Sequence, residues 1–518
     1  MISFQDVLKN VFDSQFDVNK FIIRGLEREA LRLDAVGNLA STSHPRVLGK
    51  SLCHPFITTD YSESLLELIT PPSSSIDTLF DHLNDLHVFA VKNIAPEMLW
   101  CSSMPCQIHD FTNVNLADYG DSYQGRLKRL YRKGLQNRYG SAMQLISGLH
   151  FNTSYSDEFF SNLAAKEASN LLLQDFKNQI YFKLIRNFNK ISWIVPYLFG
   201  SSVSFSKDFC DPSKYQHADF HESDCSVFIK ESTSIRMSDL GYQSKEQANL
   251  DICFDDVECY VKSLQDATKL KSENFSKIPV FDNDGNYNQI NRSVLQIENE
   301  FYSDIRPKSI KDPSGSMFSL LANGVNYIEV RNLDINPYAC FGVTAEQVKF
   351  LDLLLLSRAL LPNSVSNIKE KNHNNQLVAW KGRQKDLLLS CFDREVSLNE
   401  WVQQIYKDCS DLAFVLDRDS KDKPYKQALR ALEPMFFDSK HVLSAKFERD
   451  LCDFDYKYKD LAFSLSKNHN EFIKKLNYNY WNDSDLRSFF DSSVSDFNSY
   501  TSISDAEFNT KIQSSFYS

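Results

Sequence analysis

Glycine and proline are scarce, with 15 of each in 518 residues, against usual shares of about 7% and 5%. That excludes a collagen-like fibre. No basic run exists either. Lys and Arg number 57 against 68 Asp and Glu, a formal net charge of −11. A surface built to hold nucleic-acid phosphates or anionic lipid is therefore not expected, and any anionic ligand must be met by local arginines or by metal ions. No apolar stretch is long enough to span a bilayer: the longest, residues 350–361, carries Asp352 and Arg358. The first residues, MISFQDVLKNVFDSQFDVNK, put charges where a signal peptide needs its apolar region. The 11 cysteines are scattered from Cys53 to Cys452, and the tightest pairs, Cys101/Cys106 and Cys253/Cys259, lack the CxxC spacing. This argues against a disulfide scaffold or a zinc knuckle. The expectation is a cytoplasmic protein with reduced thiols and neither nucleic-acid nor membrane partners. Familiar catalytic fingerprints are missing too. There is no GxGxxG, no HExxH and no GxSxG in a suitable context; Gly49-Lys50-Ser51 resembles the end of a phosphate loop, but His44 stands where that loop needs its first glycine.

What is present is core material. Apolar residues make up 42% of the chain and aromatics 13%, which excludes a wholly disordered chain. The length suits about three domains, or one large domain with elaborations. Helical spacing appears at residues 3–13, 74–95 and 156–190, the last with room for a break. Residues 344–361 open on Thr344 with Gln347 at the third helical position, a capping box ahead of an apolar run that Pro362 stops. Beyond it, helical segments alternate with Asn/Lys/Ser-rich loops, and a polar tail from about residue 490 has little structural signal. No internal repeat occurs.

Strand-like alternation marks three other segments: Tyr327-Ile328-Glu329-Val330-Arg331, Leu149-His150-Phe151-Asn152 and Leu295-Gln296-Ile297-Glu298. Their polar faces carry short carboxylates, an imidazole and an arginine, where a solvated sheet face more often carries Lys, Thr and Ser. Two further fragments hold acids among apolar neighbours. In Arg24-Gly25-Leu26-Glu27-Arg28-Glu29 a strand would point Glu27 and Glu29 to one side, whereas a helix would splay them; Leu26, Ala30 and Leu33 also make a fair helical stripe, so local propensity leans to helix. Glu67 sits between Leu66 and Leu68, and a carboxylate leaving water wants a partner such as a metal ion. Each fragment alone has a plain explanation: a solvated helix face, a hydrogen-bonded histidine, a surface Glu/Arg pair, or a basic turn at Arg306-Pro307-Lys308.

Together they form an ordered set: RGLEREALR (24–32), ITTDYSESLLELITP (57–71), SMPC (103–106), LYRKGLQNRYG (130–140), ISGLHFN (146–152), SWIVPYLFG (192–200), SIRMSDLGY (234–242), LQIENEFYSDIRPK (295–308) and YIEVRNLDINP (327–337). This series closely resembles the proteobacterial type of glutamate–cysteine ligase, over about residues 20–360. The resemblance implies an α+β fold related to glutamine synthetase: a curved, mainly antiparallel β-sheet funnel covered by helices. It decides for strand at Glu27 and Glu29. The expected organisation is a catalytic domain over 1–340 and a largely helical C-terminal region over 341–518 packed on it.

The implied activity is the ATP-dependent joining of the γ-carboxylate of L-glutamate to the amine of L-cysteine through a γ-glutamyl phosphate, the first step of glutathione biosynthesis. An anionic nucleophile must approach a polyanion, so carboxylate-held cations are expected: roughly two or three Mg²⁺, with Mn²⁺ as a substitute. By resemblance the metal ligands are Glu27, Glu29, Asp60, Glu67, His150 and Glu329. Glu329 and Arg331 are the catalytic pair, and Arg306, Lys308 and Arg331 contact nucleotide phosphate. Arg132 and Arg236 face substrate carboxylate or phosphate. The cysteine pocket maps to Tyr61, Tyr131, Leu135, Gln144, Ile146, Tyr242 and Tyr302; the family pattern has Phe where Tyr61 stands, and the added hydroxyl alters how the pocket treats a thiol. Glutathione is the implied feedback inhibitor, competing at the glutamate site, and a monomer is expected. The competing readings are a related ligase with another amine acceptor, a metal-dependent phosphohydrolase that activates water, and a sheet protein that binds without turnover.

Overall fold

The computed structural model describes residues 4–12, 20–310, 317–365, 367–392 and 394–516. Strands β1 (Ile22–Leu33), β2 (Ile57–Thr59), β3 (Leu65–Ile69), β4 (Met98–Leu99), β5 (Gly148–Tyr155), β9 (Ile305–Lys308) and β10 (Tyr327–Asp334) make one antiparallel sheet in the order β2-β3-β1-β5-β10-β9, with β4 on the end of β1. Between β5 and β9 in the chain, β6 (Ser204–Ser206), β7 (Phe220–Glu222) and β8 (Ser226–Ile229) form a small separate sheet; after β10, β11 (Leu388–Cys391) and β12 (Arg394–Ser397) pair antiparallel. The large sheet buries apolar residues against helices on one face. Leu26, Phe151, Ile328 and Val330 join the main core with the helices Leu173–Asn189 and Ala345–Leu360. The latter begins on the Thr344/Gln347 capping box and is buried on nearly all sides, so its apolar residues form no one-sided stripe. Asp352 within it is buried against Arg24 of β1 at 2.8 Å, an ion pair that fastens helix to sheet.

Helices lie where periodicity puts them at Phe4–Val11 and Ile76–Asn93, while 156–190 divides into Asp157–Lys166 and Leu173–Asn189; residues 3 and 13 of the first lie outside the described residues. Three expectations are corrected. Residues 295–298 are not a strand: the carboxylate of Glu300 accepts the Gln296 amide at 2.7 Å and the Tyr139 hydroxyl at 2.7 Å, and this closes a 3₁₀ turn over Glu298–Glu300. The polar tail is helical, over Asp483–Ser499 and Asp505–Phe516. Asn482 and Asp485 cap the first helix reciprocally, and Phe508 and Ile512 of the second are buried with Leu130, Tyr287 and Ile290. Finally, Cys253 and Cys259 are joined by a disulfide, against the expectation of reduced thiols. No helix among the described residues is long and apolar enough to cross a membrane.

Candidate active site

Sheet register does most of the assembly. Glu27 stands opposite His150, Glu29 opposite Glu67, and Glu329 opposite both Asn152 and Arg306. Directly paired residues in an antiparallel sheet have their Cβ atoms about 5 Å apart, so acids distant in sequence meet on the face away from the helices. Glu27 Oε2 lies 2.9 Å from His150 Nδ1, and Glu27 Oε1 accepts from Asn152 Nδ2 at 2.8 Å. Glu29 Oε2 accepts the Gly148 amide at 2.6 Å, and its other oxygen is 3.8 Å from His150 Nε2. Ligand atoms of Glu27, His150 and Glu329 lie within 4.8 Å of one another, as do those of Glu29, Glu67 and His150. His150 is common to both groups. Asp60 stands outside them at the rim, half exposed, with Oδ1 3.6 Å from Arg132 Nη2.

So many acids in one bowl must move one another's pKa values. Burial, followed by the charges of Glu27, Asp60 and Glu29, pushes the Glu67 carboxyl well above the usual range. Burial likewise raises Glu29. Burial works against ionising Glu329 too, but Lys308 and Arg331 override it and hold that carboxyl well below the ordinary value. Lys308 Nζ is 3.5 Å from Glu329 Oε1 and Arg331 Nη1 is 3.0 Å from Oε2. That Oε2 is buried yet accepts no hydrogen bond of good geometry from the described residues.

The cationic arm continues along β9 and β10. Arg331 donates to the Tyr242 hydroxyl at 3.2 Å. Arg306 gives Nη2 to the carbonyls of Asn299 and Phe301, so part of its guanidinium holds the turn before β9. Arg236, fully buried, donates to the Arg331 carbonyl at 2.8 Å, and its Nε has no hydrogen-bond partner among the described residues. Gly148 permits this approach, since a Cβ there would lie 2.2 Å from Arg236 Nη2. Beside it is an aromatic cup. The Tyr242 and Tyr302 rings meet edge to face at 4.6 Å, and Gln144 Nε2 donates to the Tyr302 hydroxyl at 3.0 Å. Tyr61 is buried with its hydroxyl 3.0 Å from Ser141 Oγ. Tyr131, Leu135 and Ile146 belong to the same apolar cluster, and Arg132 is stacked on Tyr119.

Two cavities flank the acids. One, of about 520 Å³, touches Arg331, Tyr242 and Tyr302; the other, of about 500 Å³, touches Glu27, Asn152, Lys308 and the apolar Ile69, Met317 and Leu320. Asn152 is a site residue beyond the sequence-derived set. Its signal was there, because it shares the His150 side of β5. Tyr119, whose hydroxyl donates to the Asp60 carbonyl at 2.9 Å, left no such trace.

Comparison with known proteins identifies the frame. The glutamate–cysteine ligase family model matches residues 8–379. A glutamate–cysteine ligase from Shewanella halifaxensis is 41% identical over 460 residues, 88% of each chain. A glutamate–cysteine ligase from Francisella tularensis, solved in complex with AMP, superposes with a TM-score of 0.87 at 32% identity, covering 96% of this chain and 99% of that one. A bifunctional glutathione synthetase from Pasteurella multocida shares the fold over 90% of this chain and 54% of its own, with a TM-score of 0.70 at 21% identity.

Proposed function

This chain belongs to the glutamate–cysteine ligase family, and from that premise we propose how its own residues carry out the reaction. The enzyme joins the γ-carboxylate of L-glutamate to the amine of L-cysteine with ATP as co-substrate, the first step of glutathione synthesis. A glutamate γ-carboxylate oxygen attacks the γ-phosphorus of ATP and ADP leaves. The cysteine amine nitrogen then attacks the acyl carbon, the C–O bond to phosphate breaks to release inorganic phosphate, and the proton that the nitrogen gives up leaves with that phosphate.

The donor set of five clustered residues, four of them carboxylates, fits a hard divalent cation, and the buried Glu329 Oε2, which meets Arg331 without a well-formed hydrogen bond, can serve as one of the ligand atoms. Glu27, Glu29, Glu67, His150 and Glu329 would hold Mg²⁺, with Asp60 at the rim. A divalent ion held by these residues would supply positive charge to offset the repulsion between the phosphates and the attacking carboxylate. Arg331 lies beside Glu329 and draws charge from the transferring phosphoryl group. Lys308 and Arg306 extend that positive surface to the nucleotide phosphates, and the apolar wall of Ile69, Met317 and Leu320 takes the base. The free Nε of Arg236 and the rim guanidinium of Arg132 face the amino-acid carboxylates. Tyr61, Tyr131, Leu135, Gln144, Ile146, Tyr242 and Tyr302 enclose the cysteine side chain. Glutathione is proposed to compete with glutamate, and a monomer in the cytoplasm is the expected working state.

The observation that carries this reading is the register that sets Glu27 against His150 and Glu29 against Glu67. The assay is ADP release with Mg²⁺ and glutamate, comparing cysteine, 2-aminobutyrate, ammonia and no acceptor. Release should require glutamate, be fastest with cysteine and stop with a chelator. Full-rate release without either amino acid would replace the ligase with a phosphohydrolase.

A further inference from the structure

The chain carries 11 more negative than positive charges, yet one cavity away from the catalytic acids is lined the other way. It measures about 890 Å³ and lies between residues 43–51, residues 115–118, the helix Tyr123–Tyr139 and the tail helix Asp483–Ser499. Arg46, Lys50 and Arg129 supply cations to it; Glu63 and Asp118 are its carboxylates. The two acids do not cancel the three bases. Glu63 is buried and gives both oxygens to backbone amides, those of His44 and Asp118, each at 2.6 Å. Asp118 pairs with Arg129. Arg46 and Lys50 are exposed residues of the lining, and among the described residues neither is in an ion pair, so neither charge is offset by a carboxylate.

The local fold holds this arrangement in place. Arg46 opens a 3₁₀ turn that ends at Gly49, whose φ of 87° suits glycine, and a Cβ there would strike Ser493 Oγ at 2.6 Å. The next residue, Lys50, donates its amide to that same Ser493 Oγ at 3.0 Å and rests its ammonium 4.5 Å above the Phe497 ring. The Gly49-Lys50-Ser51 triplet thus sits with its backbone pinned by the tail and its charge beside the cavity. Thr58 Oγ1 donates to the Ser51 carbonyl at 2.7 Å, tying the triplet to β2. Glu63 lies inside the turn that the Leu65 amide closes on the Ser62 carbonyl at 3.1 Å, and the Tyr61 carbonyl just before it accepts the Ala117 amide at 3.1 Å.

We propose that this cavity binds the phosphate group of a small molecule, at a site separate from the metal cluster. The Arg46 guanidinium and the Lys50 ammonium, with Arg129 beside them shared with Asp118, suit a phosphate, which accepts several charge-assisted hydrogen bonds at once, better than a single carboxylate. The volume admits a phosphate ester as well as the free ion.

The test uses the full chain without divalent metal or nucleotide. Inorganic phosphate and ribose 5-phosphate are titrated calorimetrically against the native protein, an Arg46→Gln/Lys50→Gln double variant, an Arg129→Gln variant and a Lys308→Ala variant. Binding at millimolar concentration or tighter is expected, and the double variant should lose about tenfold or more, one charge-assisted contact being worth roughly a decade. Arg129→Gln should weaken binding by a smaller factor, and Lys308→Ala should leave it unchanged. Whichever probe binds more tightly shows whether the site takes free or esterified phosphate. Absent binding, equal binding in the folded double variant, or loss in Lys308→Ala alone would each overturn the site. Because no turnover is measured, failure here leaves the ligase reading intact, and failure of ADP release leaves this site intact.

Discussion

Glu67 faces Glu29 across the register, and its carboxyl is pushed up by burial and then by three neighbouring acids. In metal-free protein that repulsion is a standing cost, and a neutral isostere removes it. Glu67→Gln should raise the metal-free melting temperature slightly, since relief of like-charge burial is worth on the order of 1 kcal/mol. The same change deletes a proposed metal ligand, so the upward shift expected of Mg²⁺ on the native protein should shrink or vanish. ADP release should fall at least about 10²-fold. Scanning fluorimetry with and without Mg²⁺ checks the pair of effects. A variant with an unaltered Mg²⁺ shift would take Glu67 out of the metal set. Asp60, half exposed and already beside Arg132, should affect the Mg²⁺ shift less than Glu67 does.

The helix Tyr123–Tyr139 shows how an element transmits the effect of a remote tail. Tyr131 and Leu135 project from it into the cluster that forms the proposed acceptor cup, while Leu130 packs on Phe508 and Ile512 of the last helix. Arg126 stacks over Phe508 at 4.4 Å and reaches Asp505 at 2.6 Å. Ile512→Ala should cost about 2–4 kcal/mol of local packing, releasing the last helix without unfolding the sheet. The KM for cysteine should then rise several-fold while kcat holds, and limited proteolysis should cut near residue 500 sooner than in the native chain. Native KM and native cleavage would show that the tail does not brace the cup. Little of this contact was legible beforehand. A helix spaced in sequence with only Phe508 and Ile512 buried reads as polar tail, and the partner surface on Leu130 and Ile290 is known only after folding. The sheet was more readable. Alternation at His150/Asn152 and Glu329/Arg331 pointed to chemistry, since those polar faces held acids and an imidazole. At Glu27 and Glu29 the pattern was ambiguous for a physical reason: Leu26 and Ala30 are four apart, a spacing that fits one face of a strand as well as one face of a helix. Resemblance, not periodicity, broke that tie. The alternation at 295–298 misled because a buried carboxylate folds the chain back on Gln296, and nothing local announces that.

At the scale of the whole molecule, one core cluster includes Leu8, the sheet and helices as far as Ala445, so residues on both sides of position 340 are buried together. The tail is fixed to that body at a second point. Phe56, just before β2, packs edge to face on Phe489 at 4.9 Å and stacks on Trp481 at 5.2 Å. His54 sets the Phe56 backbone. Its Nδ1 accepts the amides of Phe56 at 3.1 Å and Ile57 at 2.9 Å, so the ring is neutral with its proton on Nε2. Burial depresses its pKa to about 4 from 6.5. The unfolded chain takes up this proton near pH 6.5 and the folded chain only near 4, so acidification between those values favours unfolding. The contribution is fully present above pH 6.5 and is lost as pH falls towards 4, at up to about 1.4 kcal/mol per pH unit for one proton. Two other effects change over the same range. Protonation relieves some of the repulsion within a chain of net charge −11, and the raised carboxyls of Glu29 and Glu67 bind protons more readily when folded. Both stabilise the fold on acidification, and both are common to the native chain and a His54→Gln variant. The difference between the two therefore isolates His54. Urea titrations from pH 7 to 4.5 should show the variant less stable at pH 7, having lost the imidazole acceptor, with the gap closing as the pH falls. A gap independent of pH would mean that the imidazole does not stay neutral in the folded chain.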